Sequence, residues 1–307
     1  MSATAVLFPG QGAQSVGMGR DLAGAFPVCR ELYERADEVL GRDLSRICFE
    51  GPQEELTRSD NAQAAIFVTS AACALVFRKE RGDLGVAATA GLSLGEYTAL
   101  YFAGVLTFED TLRVLRERGR FMQDACELNP GAMISVIGLD RVALEEVCRK
   151  SGTEIANINS PVQIVLSGSV DSIDKAAPLL NEAGARRAIR LNVAGAFHSS
   201  LMNPAAERLE EFLTTVSFKE PKFPVLSNVT GEPHGGAEQI RAQMVAQVNS
   251  SVQWVRTIEW MRGYGVNCYA ECGPGKVLTG LVRRIDKESE KLNIFDVPSL
   301  NAALVKK

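Results

Sequence analysis

The sequence is short of histidine, of basic charge and of long apolar runs, and each shortage excludes something. Among 307 residues, 33 Lys and Arg stand against 37 Asp and Glu, a formal charge of −4. No basic stripe dominates, so a binder of nucleic-acid backbone is excluded as a class. No uninterrupted apolar run reaches the roughly 20 residues of a spanning helix, so no membrane is expected as a partner. The opening MSATAVLFPGQGAQ lacks a basic flank and meets Pro9 and Gly10 early, unlike a signal peptide, and the chain reads as cytoplasmic. Seven cysteines, an odd number without a dense framework, suit reduced thiols better than disulfides. Cys268 and Cys272 lie four apart, but no Cys or His cluster completes a zinc site, so no metal is expected. No internal repeat or low-complexity tract breaks the chain. What is present, 46% hydrophobic and 23% charged residues, is globular in composition, and the length suits a large core with a smaller unit inserted.

The periodicity alternates. A short buried strand ends at Phe8, helices run over 26–40 and 61–79, and LGVAATAG (84–91) is a second buried strand. Strands separated by helices in this rhythm predict a parallel sheet covered on both faces. The middle changes: GAMISVIGL, RVALEEVCRK, EIANINS, VQIVLSG, SIDKAAPLLNEAG and RRAIRLNV read as β-α-β-β-α-β, the ferredoxin-like order. The expected fold class is therefore α/β, a hydrolase-like parallel-sheet domain over 1–127 and 194–307 with a ferredoxin-like subdomain over 128–193. After the insert a helix follows Asn203-Pro204, with Asn203 as its cap. FPVLSNV and NCYAEC are further strands, and a helix spans about 252–262.

Gly91-Leu92-Ser93-Leu94-Gly95 matches the nucleophile elbow G-x-S-x-G. A sharp strand-to-helix turn forces strained angles on the serine, and flanking glycines remove side chains that would clash. The hydroxyl then stands at a helix N-terminus, where the N–H of Leu94 is free to donate to a developing oxyanion. Glu96 falls in the first turn of the helix that follows. The alternative is a tight turn filled by small residues; a strand before and a helix after favour the nucleophile.

A serine hydroxyl needs a base, and the choice is between His198 and His234. His198 follows a strand end, where loops of a parallel sheet converge. His234 sits in TGEPHGGAEQ, a polar stretch expected to be an exposed turn. His198 is therefore the candidate base, its alternative being a structural histidine.

Thr107 caps a helix with Asp110 in the capping-box position. On that helix Arg113, Arg116, Glu117, Arg120, Gln123, Asp124 and Glu127 share a polar arc. Arg118 falls in the opposite, apolar arc near Val114, Leu115 and Met122. An inward guanidinium needs an anion. A protein carboxylate is the commoner partner; a ligand carboxylate gripped by the bidentate fork is the other.

These motifs add up. FPGQGAQSVGMG, GLSLGEYTALYFAGV, RERGRFMQDA, NINSPVQIVLSG, NVAGAFHSSLMNPA, PVLSNVTG, QVNSSVQWV and ECGPGKVLTGLV resemble, in order, the malonyl-CoA:acyl carrier protein transacylases, over nearly the whole chain. The resemblance implies a discrete acyltransferase of fatty acid or polyketide synthesis, with Ser93 as nucleophile and His198 as base. It implies an oxyanion hole from the N–H groups of Gln11 and Leu94, and Gln253 orienting His198 through its backbone carbonyl. Arg118 would bind the free malonyl carboxylate, Gln63 would lie near the active site and Asn159 near the acyl pocket. Phe197 resembles the malonyl-selecting version of its position. Malonyl-CoA and acyl carrier protein are the implied partners, no cofactor is implied, and the chain would be a monomer. One departure stands out: the family usually places His before the nucleophile, and here the residue is Leu92. A serine thioesterase on the same scaffold is the rival, less well suited to an inward arginine. Arg187, Arg190 and Arg283 read as solvated surface.

Overall fold

The computed structural model describes residues 3–82 and 85–305. Eight strands are found among them: β1 (Thr4–Phe8), β2 (Val86–Gly91), β3 (Gly131–Ile137), β4 (Glu154–Ser160), β5 (Gln163–Ser169), β6 (Arg187–Arg190), β7 (Cys268–Cys272) and β8 (Glu290–Ile294). The strand expected over 84–91 is β2; residue 84 lies outside the described residues.

The first sheet has the order β2-β1-β7-β8, and every pairing in it is parallel. β1 is wholly buried and alternates: Val6 and Phe8 join one core, Ala5 and Leu7 the other. Helices Ser59–Arg81 and Phe108–Leu128 pack on the first face through Phe67, Val68, Leu112 and Leu115. Helices Trp254–Gly263 and Val277–Ile285 cover the other through Trp254, Ile258, Leu278 and Leu281. Such a sheet leaves its carboxyl-end loops open, and these loops build the site.

The second sheet has the order β4-β5-β3-β6, all antiparallel. Helices Arg141–Ser151 and Val170–Glu182 pack on one face, setting Leu144 and Ile173 over Ile134, Val136 and Leu166. This is the ferredoxin-like arrangement. From its other face Met133, Ala156 and Val165 join the main core, and a parallel bridge ties Asn157 to Val252.

Several expectations need correction. FPVLSNV is not a strand: only Val225, bridged to Thr89, and Leu226, bridged to Pro233, make β contacts. Asn203 is the first helical residue rather than the cap, and its Oδ1 accepts from Asn249. Helix Ser59–Arg81 is long and apolar enough by composition to cross a membrane, although Gln63, Thr69 and Ser70 interrupt its apolar run. Of its most apolar window, 89% is buried, so it is the core helix of the fold. Thr107 caps its helix as expected, accepting from the Asp110 N–H at 3.1 Å.

Candidate active site

β2 ends in a turn that only glycine allows on both sides of Ser93. A Cβ on Gly91 would lie 1.9 Å from the Gly95 carbonyl, and one on Gly95 2.2 Å from Phe8 O. Between them Ser93 has φ 56° and ψ −113°. Only His198, with φ 59°, shares a positive φ among the described non-glycine residues. Strain of about 1–3 kcal/mol per residue persists only where surroundings enforce it. At Ser93 the enforcer is Asn228, whose Oδ1 accepts from the Ser93 N–H at 2.6 Å and whose Nδ2 donates to Gly91 O at 2.7 Å. Backbone bonds complete the turn: Leu92 N–H donates to Phe8 O and Leu92 O accepts from Gly95 N–H. The side chain at position 92 takes no part in either bond, so the elbow forms with leucine there.

Ser93 Oγ lies 3.0 Å from His198 Nε2. The other ring nitrogen, Nδ1, lies 2.8 Å from the carbonyl of Gln247. This corrects the assignment of Gln253. Gln253 instead precedes helix Trp254–Gly263, with its N–H on Asn228 O and its side chain on Ser251 O. Gln247 follows the last residue of helix Ala237–Ala246, so its carbonyl is one that no helical N–H takes. That end of a helix carries partial negative charge and favours an imidazolium. A helix terminus thus stands where a catalytic triad has its aspartate. Burial, and then the charge of Arg118, nevertheless hold the imidazole down at about 4.

Arg118 is 1% exposed and lies against the serine itself. Its Nη2 donates to Ser93 Oγ at 3.0 Å and to Gln247 Oε1 at 2.9 Å, and its Nη1 to Gln63 Oε1 at 2.6 Å. The guanidinium carbon is 5.5 Å from the centre of the Tyr97 ring. No carboxylate pairs with it among the described residues, and its buried Nε has no hydrogen-bond partner. Burial pulls the group below its usual range, opposed by nearby Tyr97 and Glu96. A cation so placed, held by neutral amides, is ready for an external anion.

A cavity of about 1020 Å³ opens over Ser93 and His198 between the two sheets. Gln11, Asn159, Phe197 and Leu92 all line it. Gly10 lets the loop after β1 close on the elbow, since a Cβ there would lie 2.6 Å from Leu92 O, and Gln11 follows directly. Leu94 opens its helix, so its N–H has no carbonyl one turn back to bond. Asn159 Oδ1 is buried without a partner. Gln63 is fully buried and reaches the site as the support of Arg118. Sequence reasoning missed Asn228, Gln247 and Asn157, which also lines the cavity. Asn228 and Gln247 stand inside the motifs PVLSNVTG and QVNSSVQWV, but their spacing alone does not say which amide turns inward. His234 was misread: it is buried, with Nε2 2.7 Å from Glu96 Oε1.

A strained hydroxyl shared by an imidazole and an unpaired guanidinium, at the carboxyl end of a parallel sheet, defines an enzyme that carries acyl groups on serine. Comparison with known proteins narrows the class. The acyl transferase domain family matches residues 6–293, and the chain belongs to that family. It is 41% identical over 309 residues to the malonyl CoA-acyl carrier protein transacylase of Bacillus subtilis, covering 99% of this chain and 97% of that one. The malonyl transacylase solved in complex with its type II polyketide synthase acyl carrier protein superposes with a TM-score of 0.96 at 39% identity, each chain covered fully. The acyl carrier protein S-malonyltransferase of Bartonella henselae gives 0.94 at 41% identity, with 98% of each chain covered.

Proposed function

We infer that the protein transfers a malonyl group from malonyl-CoA to the phosphopantetheine thiol of acyl carrier protein, through an ester on Ser93. The observation that carries this reading is the buried guanidinium of Arg118, 3.0 Å from Ser93 Oγ and bound, among the described residues, only by hydroxyl and amide oxygens. A malonyl donor has the two features such a site separates: a thioester for the hydroxyl and a free carboxylate for the arginine.

Ser93 Oγ attacks the thioester carbonyl carbon as His198 Nε2 takes its proton. The N–H groups of Gln11 and Leu94 hold the tetrahedral oxyanion, each worth about 2.7–4 kcal/mol. Collapse breaks the C–S bond, His198 returns the proton, and CoA leaves as its thiol. The carrier thiol then attacks the malonyl ester with His198 again as base, and Ser93 regains its proton. Every proton moves between serine, histidine and thiol, so the cycle calls for no metal or redox cofactor. Arg58, Lys276 and Arg284 on the cavity wall supply positive charge for the CoA phosphates. The smaller unit over 128–193 contributes Asn159 to the cavity wall, where its unpartnered Oδ1 is free to meet the acyl group. The seven cysteines form no disulfide among the described residues and six of them are buried, which supports a cytoplasmic setting. We take the working unit to be a monomer, with no membrane involved.

The test is to mix the protein with malonyl-CoA, with and without holo carrier protein, following CoA release and malonyl-carrier formation. CoA release beyond one equivalent should require the carrier and match malonyl-carrier formed. Steady hydrolysis that ignores the carrier would make the protein a thioesterase.

A further inference from the structure

Behind the catalytic residues lies a buried carboxylate–imidazole hydrogen bond that the transfer mechanism does not use. Glu96 and His234 have no solvent-exposed side-chain surface, and Glu96 Oε1 lies 2.7 Å from His234 Nε2. Glu96 Oε2 accepts from Gln247 Nε2 at 2.5 Å and from the Asn228 N–H at 3.2 Å. Both of those neighbours hold catalytic groups. Asn228 enforces the strained turn at Ser93. Gln247 does three things at once: its carbonyl accepts from His198 Nδ1, its Oε1 accepts from Arg118, and its Nε2 donates to Ser93 O.

The chemistry of these groups gives the arrangement direction. An arginine only donates and a carboxylate only accepts, so the Gln247 amide between them has one orientation: oxygen to Arg118, nitrogen to Glu96. Glu96 in turn needs His234, because a carboxylate buried with a missing partner is costly. His234 is anchored by its own backbone, N–H to Val225 O at 2.8 Å. Its Nδ1 has no partner and is buried, so its one side-chain hydrogen bond is spent on Glu96.

We propose that Glu96 and His234 are positioning residues that hold the Gln247 amide, and through it aim the Arg118 guanidinium at the carboxylate of the acyl donor. The inference rests on Arg118 as the malonyl-binding residue. It goes further by assigning donor selectivity to an anion that never meets the substrate. Glu96 lies one amide away from Arg118, and its charge faces the cation across that amide. Removing it leaves Gln247 Nε2 held by Ser93 O alone, so the amide is less firmly fixed and Arg118 keeps only Gln63 as a rigidly set acceptor. A donor with a terminal carboxylate is then gripped less well. A donor without one needs only Ser93, His198 and the oxyanion donors.

The test compares malonyl-CoA and acetyl-CoA as donors to holo carrier protein in wild type, Glu96→Gln, His234→Leu and His234→Gln. Glu96→Gln removes the charge while keeping the shape. His234→Leu removes the donor, and His234→Gln replaces it with an amide N–H of similar reach. In Glu96→Gln the ratio of malonyl to acetyl kcat/KM should fall by about tenfold or more, mostly through KM for malonyl-CoA, with acetyl transfer reduced clearly less than malonyl transfer. His234→Leu should follow Glu96→Gln, and His234→Gln should recover most of the ratio. A purely structural pair would lower both donors together. An unchanged ratio in folded Glu96→Gln overturns the proposal. If that variant does not fold, equal ratios in the two His234 variants overturn it instead. Arg118→Ala separates the levels. If its ratio also stays at the wild-type value, the carboxylate reading of Arg118 fails. If its ratio collapses while that of Glu96→Gln does not, only the positioning role fails.

Discussion

The base at this site should work at a pH where most histidines are already protonated. Burial and the adjacent Arg118 hold His198 down at about 4, against about 6.5 for an ordinary imidazole. Only the neutral ring accepts the Ser93 proton, so activity is lost as pH falls through the folded value. At pH 5 a group titrating at about 4 is still ~90% neutral, whereas one at 6.5 is only ~3% neutral. A suitable assay is inactivation of Ser93 by a neutral sulfonyl fluoride, which carries no titrating group of its own. Between pH 7 and pH 5 the wild-type rate should drop by less than about twofold, whereas an unperturbed histidine would cost ~25-fold. Removing the second cause of the shift, as in Arg118→Ala, should raise the imidazole toward 6.5. That variant should therefore lose clearly more of its own pH 7 rate at pH 5. A wild-type loss of tenfold or more over this interval, or identical profiles in the two proteins, would refute the reasoning.

Two further perturbations probe the elbow. Asn228→Ala strips the acceptor from Ser93 N–H and the donor from Gly91 O, both buried, at about 1–3 kcal/mol each. It should lower the midpoint of urea unfolding and slow sulfonyl fluoride labelling at least tenfold, as Ser93 relaxes from φ 56°. Gly95→Ala sets a methyl 2.2 Å from a backbone carbonyl that cannot swing away, so a loss of about 3 kcal/mol in urea unfolding is expected. Wild-type stability in Gly95→Ala would mean that the helix does not lie so close to β1.

How far the site was legible depended on whether its parts were local. Ser93 and the glycines around it are written within five residues, and a strand-to-helix turn needs nothing beyond them. Arg118 was visible because helical periodicity says which side chains turn inward, and a charge on the apolar arc contradicts its surroundings. His198 stood out because only one other histidine competes with it. What failed was long-range. Glutamines 247 and 253 stand six residues apart in one motif, and the choice between them depends on where helix Ala237–Ala246 stops. His234 sits among glycine, proline and threonine, which mark exposed turns, yet a carboxylate 138 residues away draws it inside. FPVLSNV has strand composition, but Asn228 is bound to the Ser93 turn and the segment makes only isolated bridges. Pairing of this kind follows from which loops the parallel sheet brings to one edge, and no local pattern records it.

The central claim is that one donor is gripped by Arg118 and acylates Ser93. Its most direct test is the intact mass and mapped adduct after brief exposure to equimolar malonyl-CoA and acetyl-CoA, in wild type and Arg118→Ala. Wild type should carry malonyl on Ser93 almost exclusively, and in Arg118→Ala that preference should collapse by about 100-fold as two charge-assisted hydrogen bonds are lost. A malonyl group on another residue, or an undiminished preference in Arg118→Ala, would contradict it.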